Sequence, residues 1–136
     1  MTHKKLKRLV VTSLLVLLIA TLVVCVVIVT KTLPKYKGEY DIRHYTDRIN
    51  VGYKPDHKYE EIKNFYDAFE VAEDVMMARY QKNAVWRFDL GYQREVFFDP
   101  NTDTWLVYIS PVGDVLDGGY SCIVSSDGIV ISCWRD

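Results

Sequence analysis

The segment Tyr120-Ser-Cys-Ile-Val-Ser-Ser-Asp-Gly-Ile-Val-Ile-Ser-Cys-Trp134 decides the fold of this chain of 136 residues. Its Asp127-Gly128 pair separates two apolar runs, which is typical of a tight antiparallel hairpin. A loop centred there pairs residues whose numbers sum to 255, so Cys122 lies opposite Cys133. Because side chains alternate along a strand, one face is predicted to be core and to carry Tyr120, Cys122, Val124, Ile129, Ile131 and Cys133.

The chemistry of the paired cysteines depends on the compartment. Outside the cytoplasm, Cys122 and Cys133 can form a cross-strand disulfide that anchors the end of the chain. In the cytoplasm, the same pair would be two small buried hydrophobic side chains. A metal site is not predicted, because two cysteines without a partnered histidine or a second cysteine pair do not complete a tetrahedron.

Two strands and a helical segment precede this hairpin. Residues 94–98 and 104–110 are rich in aromatic and β-branched side chains and flank a turn at 99–103, so they are predicted to pair. Apolar residues recur every three or four positions over residues 58–81, which predicts a helix, and Asp67 with Glu70 forms a candidate capping box for a second one. The predicted fold class is α+β, with one or two helices packed on a curved antiparallel four-stranded meander.

Residues 9–30 form an uncharged run in which sixteen of twenty-two residues are Leu, Ile or Val. As a helix with about 1.5 Å rise per residue, the run is roughly 33 Å long, enough to cross the apolar part of a bilayer. It lacks the polar stripe of a globular helix, so a transmembrane helix is predicted. A cleaved signal peptide is the main alternative, but the run exceeds the usual ~7 to 15 residues and no small-x-small cleavage site follows.

The span sets the predicted organisation of the chain. Basic residues at positions 4, 5, 7 and 8 precede it and those at 31, 35 and 37 follow, so the positive-inside rule favours an inside N-terminus. Residues 1–8 are a cytoplasmic basic tail, 9–30 a transmembrane helix in membrane lipid, 31–57 a stalk, and 58–136 an extracytoplasmic domain. The stalk is too rich in tyrosine for a purely flexible linker, so part of it can lie on the domain or at the level of the lipid headgroups.

The charge of residues 31–136 restricts the classes of partner that they can bind. After residue 30, thirteen basic residues face eighteen acidic ones, which gives a net charge of −5. An acidic domain disfavours nucleic acid and offers no polybasic patch for anionic lipid. About a hundred residues suffice for one domain with a single core.

No catalytic residue, metal or cofactor is predicted. His3, His44 and His57 accompany no nucleophile elbow, zinc-protease or phosphate-loop motif. An enzyme of the isomerase kind would need an acid whose pKa is raised by burial, and the candidates for that role are Asp89 and Glu95.

A protein-binding surface is predicted on the outer face of the sheet. Alternation turns some aromatic side chains away from the core, and exposed aromatic groups are natural binding surfaces. Coverage of that face by residues 38–57 would remove the site. The candidate binding residues are Phe97, Trp105, Val107 and Tyr108.

Three local features resemble a family of small bacterial immunity proteins of toxin systems with a nuclear-transport-factor-two-like fold. They are Ala68-Phe-Glu-Val-Ala-Glu73 with Tyr80 after it, Asp103-Thr-Trp-Leu-Val107, and Gly118-Gly119 followed by Ile123-Val-Ser-Ser-Asp-Gly-Ile-Val130. The resemblance covers residues 67–134 and implies a cone-like domain that occludes a cognate toxin, without a catalytic residue. The order of helix and meander is also similar to PepSY-like domains, which are thought to act as inhibitors or ligand sensors.

The sequence therefore predicts a single-pass protein of the cell membrane whose small domain binds a protein, in the manner of an immunity protein. An extracytoplasmic sensor or protease-inhibitor module is the alternative. An isomerase-like enzyme is a third interpretation.

Overall fold

A computed structural model describes residues 2–113 and 118–136, in two compact units, Met1–Lys31 and Thr32–Asp136. Helix α1, His3–Thr32, supplies the first unit and is long and apolar enough to cross a membrane, a test that a signal sequence also passes. The hydroxyls of Thr12, Thr21 and Thr30 donate to carbonyl oxygens four residues earlier, at 2.8, 2.9 and 2.7 Å. These hydroxyl groups are thus hydrogen-bonded within the helix.

The second unit is an α+β fold built on one mixed sheet. Its five strands are β1 (Lys35–Glu39), β2 (Tyr92–Asp99), β3 (Thr104–Pro111), β4 (Tyr120–Ser125) and β5 (Val130–Arg135). The strands lie in the order β1-β2-β3-β4-β5; β1 pairs with β2 in parallel and the other pairs are antiparallel. The α+β class is confirmed. The sheet differs from the predicted four-stranded antiparallel one because it has a fifth, parallel strand, β1, which comes from the predicted stalk.

Helix α3 (Phe65–Arg79) covers the inner face of the sheet. Its buried apolar residues fall at i, i+1, i+4, i+7 and i+8, which is one face of a helix. The main core lies between this stripe and inward side chains of β2 to β5. Its members include Ala68, Phe69, Ala72, Val75, Met76, Val96, Val107, Ile109, Tyr120, Cys122, Val124 and Cys133.

The outer face of the sheet carries a second, smaller core. Leu106, Ile123 and Trp134 are buried there under side chains from the segment 40–49. That segment contains a 3₁₀ helix, Ile42–Tyr45, and the short helix α2, Thr46–Val51. The predicted stalk is therefore part of the folded unit, and two of its tyrosines, Tyr40 and Tyr45, pack on the sheet.

The start of α3 differs from the prediction. Residues 58–64 are not helical, and the N-cap is Asn64, whose side chain accepts from the Asp67 amide at 3.0 Å. Asp67 in turn accepts from the Lys63 amide at 3.0 Å. The capping residues are thus Asn64 and Asp67 rather than Asp67 and Glu70, because the segment before Asn64 bonds to the β4–β5 turn instead of forming a helical turn.

A bulge in β5 alters the predicted face of the last hairpin. Ile123 pairs with Ser132 but Val124 pairs with Val130, so Ile131 is the extra residue. Val130 consequently enters the main core, whereas Ile131 packs on the outer core. The predicted inward positions of Ile129 and Ile131 are therefore wrong, since a bulge reverses alternation beyond it.

Candidate functional site

A groove of about 380 Å³ opens on the outer face of the sheet. Its floor comes from β2 to β5 and one wall comes from the segment 44–48. We call it the outer groove, and its lining residues are His44, Tyr45, Arg48, Phe97, Leu106, Tyr108, Ser121, Trp134 and Asp136.

Hydrogen bonds hold the wall of the outer groove against the sheet at both of its ends. At one end the Ile42 amide donates to Asp99 Oδ2 at 3.1 Å, and the Tyr40 hydroxyl lies 2.7 Å from that of Thr104. At the other end Tyr53 and Cys133 exchange backbone hydrogen bonds of 2.7 and 2.8 Å. The groove is therefore a fixed feature of the fold rather than a gap beside a loose linker.

Asp99 has a structural role in this wall. It is 2% exposed, and its other carboxylate oxygen accepts from the Asn101 amide at 2.9 Å. The backbone hydrogen bond from Ile42 leads the causes that lower the pKa of Asp99, so the carboxylate is charged at neutral pH. One side chain thus closes the β2–β3 turn and docks the segment that forms the groove wall.

The outer groove combines aromatic surface with a guanidinium group. The rings of Tyr45 and Trp134 have centroids 6.0 Å apart, and Arg48 forms an ion pair of 3.5 Å with Asp136. Burial, followed by the charge of Asp136, raises the pKa of Tyr45, so its phenol remains a hydrogen-bond donor at neutral pH. Tryptophan, tyrosine and arginine are the residue types that dominate the energy of protein interfaces.

The four predicted binding residues do not share one surface. Phe97 and Tyr108 line the outer groove. Val107 is fully buried in the main core, and Trp105 also points inward, where its Nε1 donates to Ser126 Oγ at 3.2 Å. Adjacent residues of a strand face opposite ways, so the inward Trp105 and Val107 cannot join Tyr108 in one patch.

Among the groove residues that sequence analysis missed are Tyr45, Arg48 and Trp134. The first two lie in the predicted stalk, and the third follows Cys133 in the last strand. The only signal for the first two was the high tyrosine content of the stalk. Nothing local in the sequence showed which face that segment would cover.

Cys122 and Cys133 pair across β4 and β5 as predicted. The amide and carbonyl of Cys133 both bond to Tyr53 on the opposite side, which makes the cysteine pair a non-hydrogen-bonded one. Such pairs have Cα atoms about 4.5 Å apart, within the range that a disulfide can bridge. The structure has both as buried free thiols, and the hydrogen bond to Cys133 together with burial raises the pKa of Cys122. The disulfide itself stays a prediction.

The two acids considered for an enzyme are not buried. Asp89 is exposed and accepts from the Gly91 amide at 2.8 Å, while Glu95 is only half-buried. The expectation of a buried acid at these positions is therefore wrong. Asp89 lies in a surface loop, and Glu95 alternates out of the core beside Val96.

The buried acid of the inner side is Glu73 on α3, which is 6% exposed. Arg87 Nε lies 3.2 Å from its carboxylate, and the same guanidinium contacts Asp74 at 2.6 Å. Burial raises the pKa of Glu73, and Arg87 and then Arg94 oppose that shift. Glu73 is thus held among cations under the 3₁₀ helix Ala84–Phe88, an arrangement that supports packing.

The described residues contain no group of three or more His, Cys, Asp or Glu side chains that could hold a metal ion. Comparison of the chain with protein-family models, curated protein sequences and solved structures finds no match. The resemblance to immunity proteins therefore stays a prediction from the sequence.

Proposed function

We infer that this protein is a small membrane-anchored binding protein whose outer groove receives a protein partner. The observation that carries the proposal is the grouping of Tyr45, Trp134 and Arg48 in one preformed groove. Rigid aromatic walls bind with little loss of side-chain entropy, and the guanidinium group supplies directional hydrogen bonds.

Anchoring by residues 9–30 is the second part of the proposal. None of the residues in the most apolar stretch of α1 is buried. Exposed leucine and valine at this density are unfavourable in water, whereas a bilayer stabilises each by about 0.3–0.6 kcal/mol. With the N-terminus inside the cell, the domain lies outside the cytoplasm.

An immunity-type role fits such a domain: it neutralises a toxin by direct binding and occlusion, without catalysis. The resemblance of residues 67–134 to that family supports this role. The expected partner is a toxin encoded by a neighbouring gene, and the contact is expected to use the outer groove.

Reversing the charge of the groove guanidinium tests this role. We expect Arg48→Glu to weaken binding of the purified neighbouring toxin by about 2 kcal/mol, roughly 30-fold, because the guanidinium donors of the groove are lost and a carboxylate takes their place. Lys37→Glu, the same charge change at an exposed position outside the groove, is the control. Titration calorimetry and protection of cells that express the toxin measure the effect. Equal affinity and equal protection for both variants would contradict a role for the groove.

A ligand sensor of the PepSY-like kind is the second candidate. The volume of the outer groove, about 380 Å³, lies within the range of small-molecule sites. The two functions differ in their partner, since an immunity protein binds a folded toxin and a sensor binds a small ligand. Protection from the toxin that is lost in Arg48→Glu would favour the first.

The cysteine pair reports the compartment. We expect Cys122 and Cys133 to be oxidised in growing cells, because their register suits a disulfide and the proposed location is oxidising. Cells are quenched with acid, and the denatured protein is labelled with a maleimide of high mass, with and without prior reduction. Cys25→Ala removes the third thiol from the assay. Full labelling without reduction would contradict the disulfide and the proposed side of the membrane.

A further inference from the structure

Four apolar side chains are exposed at one end of the sheet, where β2 begins and β3 ends. We call this the basal end and these side chains the basal patch: Val85, Phe88, Leu90 and Val112, with exposed fractions of 72, 56, 45 and 57%. The first three line one open hollow. Val112 joins them because its amide donates to the Gly91 carbonyl at 2.8 Å.

The loop that carries the basal patch is held rigidly. The buried Arg94 guanidinium donates to the carbonyls of Trp86, Asp89 and Tyr92, each at 3.0 Å. Asn83 caps the 3₁₀ helix Ala84–Phe88 by accepting from the Val85 amide at 3.0 Å. The apolar side chains are therefore held exposed to water, which is unfavourable for the free energy of the folded protein. Such a fixed apolar surface is typical of an interaction site.

The chain enters the folded unit at the same end. Lys35 pairs with Glu95, and β1 runs parallel to β2, so the residues before β1 lie toward the start of β2. Only residues 31–34 separate the apolar run from β1, and four residues reach at most roughly 14 Å. A bilayer that holds residues 9–30 must therefore lie close to the basal end.

Charge distinguishes the two ends of the unit. A groove at the opposite, distal end beside the start of α3 is lined by Glu60, Glu61, Asp67, Glu70 and Asp74, with one lysine, Lys63. At the basal end, the hollow is lined by one cation and one anion, Lys82 and Asp89. Lys82 and Arg135 also lie over the Tyr120 ring, 5.6 and 5.4 Å from its centre. The headgroups of an anionic bilayer therefore repel the distal end more strongly than the basal end.

We propose that the basal patch rests in the headgroup region of the bilayer, so that the domain lies on the membrane with its acidic end outward. This proposal rests on the proposed anchoring by residues 9–30. Exposed phenylalanine, leucine and valine partition into the interface, and the short connection raises their local concentration there. In this orientation the acidic distal end faces away from the bilayer and is accessible to partners.

Spin labels on the full-length protein test the proposal. Phe88→Cys and Ile129→Cys are labelled separately in a Cys25→Ala background, in nanodiscs of phosphatidylcholine and phosphatidylglycerol. Ile129 is the matched control, since it is an exposed apolar residue, 47% accessible, at the distal end. The eight residues of β2 place it roughly 26 Å further along the sheet. Val85→Cys is the second basal position if Phe88→Cys fails to fold.

We expect the basal label to be accessible to oxygen and shielded from a water-soluble nickel complex, and the Ile129 label to show the reverse. If both labels are accessible to the nickel complex, and the protein nevertheless resists extraction by carbonate, the basal contact is overturned while the anchoring is left intact. A protein that carbonate extracts, and that does not float with vesicles, would overturn both. A basal label shielded only after a purified protein partner is added would assign the patch to that partner and overturn the lipid contact.

Discussion

Replacing Arg94 with methionine is expected to lower the free energy of unfolding by about 3–5 kcal/mol. Arg94 is 3% exposed and donates to the carbonyls of Trp86, Asp89 and Tyr92. Methionine fills a similar volume but leaves these carbonyls without their donor and removes a positive charge near Glu73. Urea unfolding of the full chain in detergent, followed by tryptophan fluorescence, measures the loss.

A double substitution separates the two causes. If part of the loss comes from the uncompensated charge of Glu73, then Glu73→Gln should be less harmful in the Arg94→Met background than in the parent protein. Additive effects of the two substitutions would instead assign the loss to the unpaired carbonyls. A change below about 1 kcal/mol in Arg94→Met would contradict the role given to Arg94 as the organiser of the loop.

The second large effect is expected at the β4–β5 turn. Gly128 has a φ of +87°, and an added Cβ would lie 2.2 Å from the Tyr59 carbonyl oxygen and 2.5 Å from that of Glu60. Both neighbours are backbone atoms, held there because the Tyr59 amide donates to the Gly128 carbonyl at 2.9 Å. We expect Gly128→Ala to lower the free energy of unfolding by about 3 kcal/mol, from conformational strain and overpacking together.

Gly38→Ala is the control for this prediction. Gly38 also has a positive φ, +120°, but nothing lies within 4 Å of the position that a Cβ would take. Its substitution is expected to cost only the conformational strain, about 1–2 kcal/mol. Equal losses in the two variants, measured by the same unfolding experiment, would show that close packing against residues 59–60 adds nothing.

The strands that the sequence predicted best are those joined by short turns. Residues 94–98 and 104–110 lie within β2 and β3, and the cysteines face each other across β4 and β5. In each hairpin the turn residues and the alternation of side chains act over a few positions, so the local sequence suffices. Residues 114–117, in the connection before β4, lie outside the described residues.

The candidate site was harder to predict. Phe97 and Tyr108, which were predicted as binding residues, line the outer groove. Tyr45 and Arg48 become groove residues only because the segment 40–53 folds back over β3 to β5. That return depends on contacts such as Ile42 with Asp99, which are 57 residues apart in sequence. The register shift that places Ile131 on the outer face likewise depends on how β4 and β5 pair with each other. The sequence of neither strand alone shows it.

By itself, the sequence determined an apolar helix long enough for a bilayer, an α+β unit after it and a facing pair of cysteines, because length, turn chemistry and alternation are local properties. Only the tertiary structure decided that the predicted stalk supplies β1 and a wall of the outer groove, and that Val107 is core while Tyr108 is surface. It also brought the basal patch to the end where the chain enters the sheet. Such placements follow from which surfaces bury each other, and burial is settled by the whole chain at once.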